Sequence, residues 1–294
     1  MARTCLIAGC GYVGRRLARR LRTGWEIVAI VRSEKSAALL RADGITVLQV
    51  DLDRDGHAGL LQSAADDATI AYLAPPPDSG DTDPRLAAFL VSLGDARPAV
   101  LLYMSTTGVY GDTGGAPVAE DTAVAPSNDR SRRRVVAEQL AKDWCASRGV
   151  RCVILRVPGI YGPDRLPLER LRRDEPAVRP DDAGPGNRIH VDDLVAACVA
   201  ALERPVTGAF NVCDGDYSST TVFLQRTAAL AGLPPPRLVS MDEARGQISP
   251  GMLAYLVESR RVDNRRMLDQ LGVRLAYPDL DAGIAASLGE MRHE

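Results

Sequence analysis

The sequence predicts an α/β fold, a doubly wound parallel sheet with a small C-terminal lobe, on two observations. The first is rhythm: over residues 1–157, short apolar, β-branched runs alternate with helix-length stretches. Runs with so little polar alternation suit a parallel sheet buried on both faces. The second is punctuation, because the first run ends in a glycine-spaced turn that opens straight into the first helical stretch. Repeated strand–helix units of this kind imply right-handed crossovers.

In order, the strands are "TCLIAG" (4–9), "EIVAIV" (26–31), "ITVLQV" (45–50), "TIAYLA" (69–74), "AVLLYMS" (99–105) and "RCVILRV" (151–157). The helices between them include "YVGRRLARRLR", "KSAALLRA", "RLAAFLVSLG" and "SRRRVVAEQLAKDWCASRG". From 158 to 187 the rhythm breaks into a loop rich in proline and glycine, and long loops in compact domains are usually functional. "IHVDDLVAACVAALERP" then predicts a helix, "GAFNVCDG" a strand and "TVFLQRTAALAGLP" a helix. The expected division is a first domain over 1–157, rejoined by 188–213, and a lobe made of 158–187 and 214–294.

The chain of 294 residues is 46% hydrophobic and 25% charged, with a net charge of −2. That composition argues against disorder and gives no general case for nucleic acid; the arginine runs suit solvated helix faces. The apolar run at the start is too short for a signal peptide and no stretch approaches a membrane span, so the cytoplasm is expected. Cys5, Cys10, Cys145, Cys152, Cys198 and Cys213 show no metal-ligand spacing and read as free thiols, with no metal site expected.

"GCGYVG" places Gly9, Gly11 and Gly14 in the G-x-G-x-x-G spacing, with Tyr12 and Val13 inside the turn. The first glycine allows the turn, the second lets backbone approach a pyrophosphate, and the third lets helix and strand pack closely. A Rossmann-type dinucleotide site follows. The second strand ends in Arg32 and Ser33, with Lys35 close behind, where NAD enzymes usually carry an acid. A guanidinium forks two hydrogen bonds onto a 2′-phosphate, so NADP(H) is expected over NAD(H), the competing reading being a solvated arginine. Asp51 and Leu52 fall where adenine is flanked, though the aspartate serves equally as a helix cap. Leu73, Ala74 and Pro75 open a stiff wall beside the ribose at the sheet's carboxyl edge.

With these segments in order, the chain resembles the extended short-chain dehydrogenases/reductases, the NAD-dependent epimerase/dehydratase family. "YMSTTGVYGD", "LRVPGIYGPDR", "NRIHVDDL" and "FNVCDG" are similar to four family segments in correct order and spacing. The resemblance implies that Thr106 hydrogen-bonds the reacting substrate oxygen and that Pro158 faces the nicotinamide. It also implies a small-molecule substrate, and a homodimer through the helices after the fourth and fifth strands.

The family's Tyr-x-x-x-Lys pair is missing. Aligned on Glu138, its two positions hold Arg130 and Arg134. Arginine stays protonated at any relevant pH and cannot shuttle a proton. Arg134 can still bond the nicotinamide ribose, and Arg130 can hold an anionic substrate. The chain therefore resembles the atypical members of the family. Tyr110 and Tyr161 are candidate substitute proton donors, and His190 is a candidate acid/base or substrate contact, though the family resemblance gives all three structural roles as well; His57 and His293 stand in less promising contexts. Arg165 and Arg188 are candidate substrate grips. Sugar-nucleotide members carry a diphosphate-gripping arginine where this chain has Gly186, which counts against a sugar-nucleotide substrate. Two functions are expected: an NADP(H)-dependent oxidoreductase or epimerase with a non-standard proton donor, or an NADP(H)-sensing protein without turnover.

Overall fold

The computed structural model describes residues 3–54, 61–248, 253, 256 and 258–293; His57 lies outside them. The central sheet is built from β1 (Arg3–Ala8), β2 (Trp25–Val31), β3 (Thr46–Gln49), β4 (Thr69–Tyr72), β5 (Val100–Thr106), β7 (Arg151–Val157) and β11 (Gly208–Asn211). Its order is β11-β7-β5-β4-β1-β2-β3, and every pair is parallel. The order reverses at β1, so the crevice for a ligand opens at the carboxyl ends of β1 and β4.

Helices cover both faces, as parallel strands buried on two sides require. On one face α1 (Tyr12–Leu21) and α7 (Val191–Glu203) bury Leu17, Ala18, Ala197, Cys198 and Ala201 against the strands. On the other, α4 (Pro84–Ser92) and α5 (Asp129–Arg148) bury Leu86, Phe89, Ala137 and Ala141. Burying each large apolar side chain contributes about 1.5–3 kcal/mol. The remaining helices of this half are α2 (Glu34–Ala42) and α3 (Gln62–Ala65).

The segment read as a loop over 158–187 holds more structure than its composition suggested. It contains β8 (Gly159–Tyr161), α6 (Leu168–Arg172) and β9 (Ala177–Val178). β8 pairs with β10 (Arg188–His190), and β9 with β12 (Leu238–Val239). The partners are distant in sequence and each strand is two or three residues long, so no local periodicity announces them. A third small ladder joins β6 (Pro117–Val118) to β13 (Arg261–Val262). The rest of the second half comprises α8 (Thr220–Ala231), α9 (Met241–Ala244), α10 (Arg265–Asp269) and α11 (Leu280–His293). Met267, Leu271 and Val273 pack into the same core as α1 and α7, so the C-terminal part also contacts the central sheet's helices. Among the described residues no helix is long and apolar enough to cross a membrane.

Candidate active site

The glycine turn is shaped by close approach. Gly9 has φ +80°, and a Cβ there would lie 2.5 Å from the Ala74 nitrogen, so only glycine lets the β1 and β4 turns meet. Gly14 packs against β1, where an added Cβ would sit 3.2 Å from the Gly9 carbonyl. Gly11 is different: a Cβ there would meet nothing within 4 Å. Gly11 is also the N-cap of α1, without a side-chain cap and without an acid in the first turn. Free N–H groups facing open space fit a dinucleotide's pyrophosphate. The Tyr12 hydroxyl donates to the Pro163 carbonyl at 2.6 Å, tying this turn to the loop after β8. The Arg16 and Arg165 guanidinium groups lie 4.3 and 4.6 Å from its ring centre. Val13 is buried beneath the turn.

At the end of β2, Arg32 is exposed and pairs with Asp53 Oδ2 at 3.3 Å. Arg85 forks the same carboxylate at 2.6 and 2.7 Å and donates to the Pro75 carbonyl at 3.1 Å. The Arg85 hydrogen bond is the main reason the Asp53 carboxyl is held below its usual range. Ser33 has a local role: its Oγ caps α2 by accepting from the Ser36 nitrogen. Asp51 accepts from the Asp53 nitrogen at 3.2 Å, and Leu52 packs on the core beside it. Leu73 hydrogen-bonds through its nitrogen to the Ala8 carbonyl at 2.8 Å, which fixes the wall formed with Ala74 and Pro75.

Past the carboxyl ends of β5 and β7 lies a cleft of ≈ 530 Å³, whose lining includes Thr106, Asn128, Arg130, Arg133, Pro158 and Arg260. Thr106 ends β5 and caps the following 3-10 turn, its Oγ1 accepting from the Gly108 nitrogen at 3.2 Å. Pro158 follows β7 directly. Asn128 caps α5 by accepting from the Ser131 nitrogen at 2.9 Å, which fixes the helix start that carries the arginines. Arg130 is exposed in the cleft and makes no hydrogen bond or ion pair among the described residues. Arg134 points elsewhere: it donates to the Met104 carbonyl at 2.6 Å and the Tyr103 hydroxyl at 3.2 Å.

None of the three substitute proton donors lines this cleft. Tyr110 is buried, donates to Asn211 Oδ1 at 2.8 Å and accepts from Arg156 at 2.9 Å. Burial pushes its phenol above the usual range. Tyr161 packs among Leu166, Leu168, Leu280 and Ile284, and its hydroxyl is buried without a partner among the described residues. His190 is 1% exposed, and burial lowers its pKa. Its Nδ1 accepts from the Asp192 nitrogen at 3.2 Å, capping α7, so the proton on Nε2 is available to Ser287 Oγ at 3.2 Å. Arg188 is spent on Asp216 at 3.1 Å and the Ser218 carbonyl at 2.6 Å. Sequence patterns gave these residues to loops near the site. The short elements that carry them turn the side chains inward.

Beneath the cleft, Arg156 forks Glu138 at 3.1 and 2.8 Å, and Ser105 Oγ donates to Glu138 at 2.6 Å. This buried network locks α5 to β5 and β7. On the cleft's far wall, Arg260 pairs with Glu258 and donates to the Thr107 carbonyl at 3.0 Å. Glu258 also accepts from Ser127 and from Asn128 Nδ2 at 2.7 Å. The sequence reading missed Asn128, Arg133, Glu258, Arg260, Asp53 and Arg85. The pattern Asn-x-x-Ser before a helix could have identified Asn128, whereas the others belong to no motif. All six cysteines are free, and no cluster suited to a metal occurs among the described residues.

Residues 5–213 match the NAD dependent epimerase/dehydratase family. The chain belongs to that family. Members of the family are nicotinamide-dependent. Among its relatives is a 3-diazoavenalumate denitrifying reductase from a Streptomyces species, 27% identical with 95% of this chain and 98% of the relative covered. A functionally unknown conserved protein from Silicibacter pomeroyi DSS has a solved structure with a TM-score of 0.83, at 34% identity over 98% of both chains. A UDP-glucuronic acid 4-epimerase from Bacillus cereus, solved in complex with NAD, shares the fold with a TM-score of 0.74 at 18% identity over 99% of both chains.

Proposed function

We propose that the protein is an NADP(H)-dependent oxidoreductase of this family, acting on a small carbonyl or sugar-like substrate without the family's phenol as proton donor. The supporting observation is that Thr106 and Pro158 line one cleft together with Arg130, next to the carboxyl edge where the glycine turn lies. The Streptomyces relative is named a reductase, and that reaction class is the one carried over here. The dinucleotide would lie across Gly9, Gly11, Tyr12 and Gly14, with Arg32 toward the 2′-phosphate and Pro158 behind the nicotinamide. Bound there, it supplies a hydride. Thr106 Oγ1 orients the substrate atom that gains electrons. Arg130, always charged, offsets developing negative charge but transfers no proton. The proton comes from water in the open cleft, or is not needed where the acceptor is itself cationic.

The test is a pair of measurements on the unmodified protein: fluorescence titration with NADPH and NADH, then substrate-dependent NADPH oxidation. Tighter NADPH binding with turnover supports the reading, and equal affinities overturn the cofactor choice. One observation favours the second reading, a cofactor-sensing protein: Tyr110, Tyr161 and His190 all lie outside the cleft lining. Binding without turnover on any acceptor would favour it. A homodimer remains part of the proposal, since Val91 on α4 is 72% exposed and Val136 on α5 is 42% exposed; a monomeric mass by light scattering would remove it.

A further inference from the structure

We propose that the cleft is built for an organic acid whose carboxylate sits between Arg130 and Arg133 and whose apolar body reaches into an adjoining cavity. This rests on reading the cleft as the substrate site. Arg130 and Arg133 are three residues apart on α5, so they share a face in its first turns, where the helix dipole also favours an anion. Arg133 is 5% exposed, and its polar partners are the carbonyls of Gly80 at 2.7 Å and Asp78 at 3.1 Å. Carbonyls orient a guanidinium without neutralising it. Its Nε is buried and has no acceptor among the described residues. A buried cation with an unfilled donor wants an anion, because an uncompensated buried charge is costly.

None of the acids of the cleft forms an ion pair with Arg130 or Arg133 among the described residues. Glu258 pairs with Arg260, Asp129 pairs with Arg132 at the surface, and the Asp78 side chain is exposed at the rim. Arg130 and Arg133 therefore line the cleft with Thr106 without an ion-pair partner among the described residues, and the one acid of the lining left unpaired, Asp78, stands at the rim. A carboxylate takes a forked hydrogen bond from a guanidinium and is the natural occupant.

The other end of the substrate is set by a second cavity of ≈ 190 Å³, which shares Gly159 and Thr220 with the cleft. Ile160, Pro167, Phe223 and Leu224 give it an apolar wall. Its rim arginines are engaged: Arg188 with Asp216, Arg170 with Glu175, and Arg165 against the Tyr12 ring. Apolar cavities of about 150 Å³ hold a benzene ring. A nucleoside diphosphate is a poor match. At Gly186, where a diphosphate-gripping arginine would stand, an added Cβ would lie 2.7 Å from the Ser218 carbonyl and 2.9 Å from Arg188 Nη2. The reacting carbon thus lies between a carboxylate and an aryl or alkyl group.

Benzoylformate has that layout, so it is the probe, with its methyl ester and UDP-glucose as comparators. Binding is measured by calorimetry on protein loaded with NADP⁺, after an NADPH titration on the same sample. The acid should bind at least about tenfold more tightly than the ester, and UDP-glucose more weakly than the acid. Arg130→Gln, at an exposed position, should erase the acid's advantage and leave the ester unchanged, whereas Arg130→Lys should keep part of it. Leu224→Trp should weaken acid and ester together while leaving glyoxylate, which has no ring, unaffected. Equal binding of acid and ester, no binding of the acid, or preference for UDP-glucose overturns the proposal. Failure of the NADPH titration would instead overturn the oxidoreductase reading.

Discussion

Two helices begin at the carboxyl edge of the same sheet, and they begin in opposite ways. α1 starts at an uncapped glycine whose missing Cβ would meet open space, with no side-chain cap on its first N–H groups. α5 starts under an asparagine cap and carries Arg130, Arg132, Arg133 and Arg134 in its opening turns. The first arrangement depends on backbone that any dinucleotide can use. The second depends on side chains, which substitution can replace without disturbing the fold. The difference teaches that cofactor binding and proton transfer are separable in this architecture. On the proposed reading, this chain keeps the glycine turn for the former and has Arg130 and Arg134 where the family resemblance puts the latter.

The largest effect should come from putting the pair back. Arg130→Tyr with Arg134→Lys places a phenol in the cleft lined by Thr106. Because a missing general acid typically forfeits ~10²–10⁴ in rate, reduction of a simple carbonyl should rise by a large part of that factor. Steady-state NADPH oxidation measures it. An unchanged rate with intact cofactor binding would mean that α5 no longer aims this position at the reacting atom.

Next in size is the network that holds α5 in place. Glu138 is 2% exposed and bonded by Arg156 and Ser105. Glu138→Ala leaves a buried guanidinium without its counter-charge and should cost about 3–5 kcal/mol by urea unfolding. The α1 start has no equivalent, so Gly11→Ala should leave unfolding nearly unchanged while weakening cofactor binding. If both variants affect stability alike, the contrast between the two helix starts fails.

A pH-dependent effect belongs to the second half of the chain. Burial raises the Asp214 carboxyl to about 7, and its Oδ2 has no partner among the described residues. The unfolded carboxyl titrates near 3.9. Between those values the native state holds a proton that the unfolded state has released, so this group's contribution to stability falls as pH rises from about 4 to 7. Asp214→Asn removes that slope. The variant should gain on the unmodified protein by roughly 2–4 kcal/mol over the interval, read from urea midpoints at pH 5 and pH 8. A constant difference between the two proteins would contradict the assignment.

Legibility in the sequence followed how locally each feature is encoded. The strands of the central sheet were readable because burial on both faces forces continuous apolar runs. The glycine turn was readable because its spacing is its mechanism. Arg32 was readable as the end of β2, but its setting was not: Asp53, after β3, engages it, and Arg85 on α4 holds Asp53. Tyr110, Tyr161 and His190 were placed near the site by motif, yet a short turn or ladder decides which way a side chain faces. The pairings that decide it lie far away in sequence, as with Tyr110 and Asn211. Glu258 and Arg260 stand in a stretch without periodicity, and only the fold brings them to the cleft.

The smallest expected effect concerns cofactor choice, at the far end of the groove from α5. Arg32 is the cation expected at a 2′-phosphate, yet Asp53 already engages it at 3.3 Å. A phosphate entering there must share the guanidinium with that carboxylate, whose charge opposes its own. Arg85 holds Asp53 by two shorter bonds, which leaves Arg32 the more easily redirected partner. Arg32→Ala should therefore weaken NADPH by ~1.5–3 kcal/mol, the range for a charge-assisted contact, and barely change NADH. Asp53→Asn should act in the opposite sense, tightening NADPH by about 1 kcal/mol or less because the pair is exposed and screened. Titrations at low and moderate salt distinguish the two contributions. If Asp53→Asn weakens NADPH instead, then the aspartate positions Arg32 rather than competing for it.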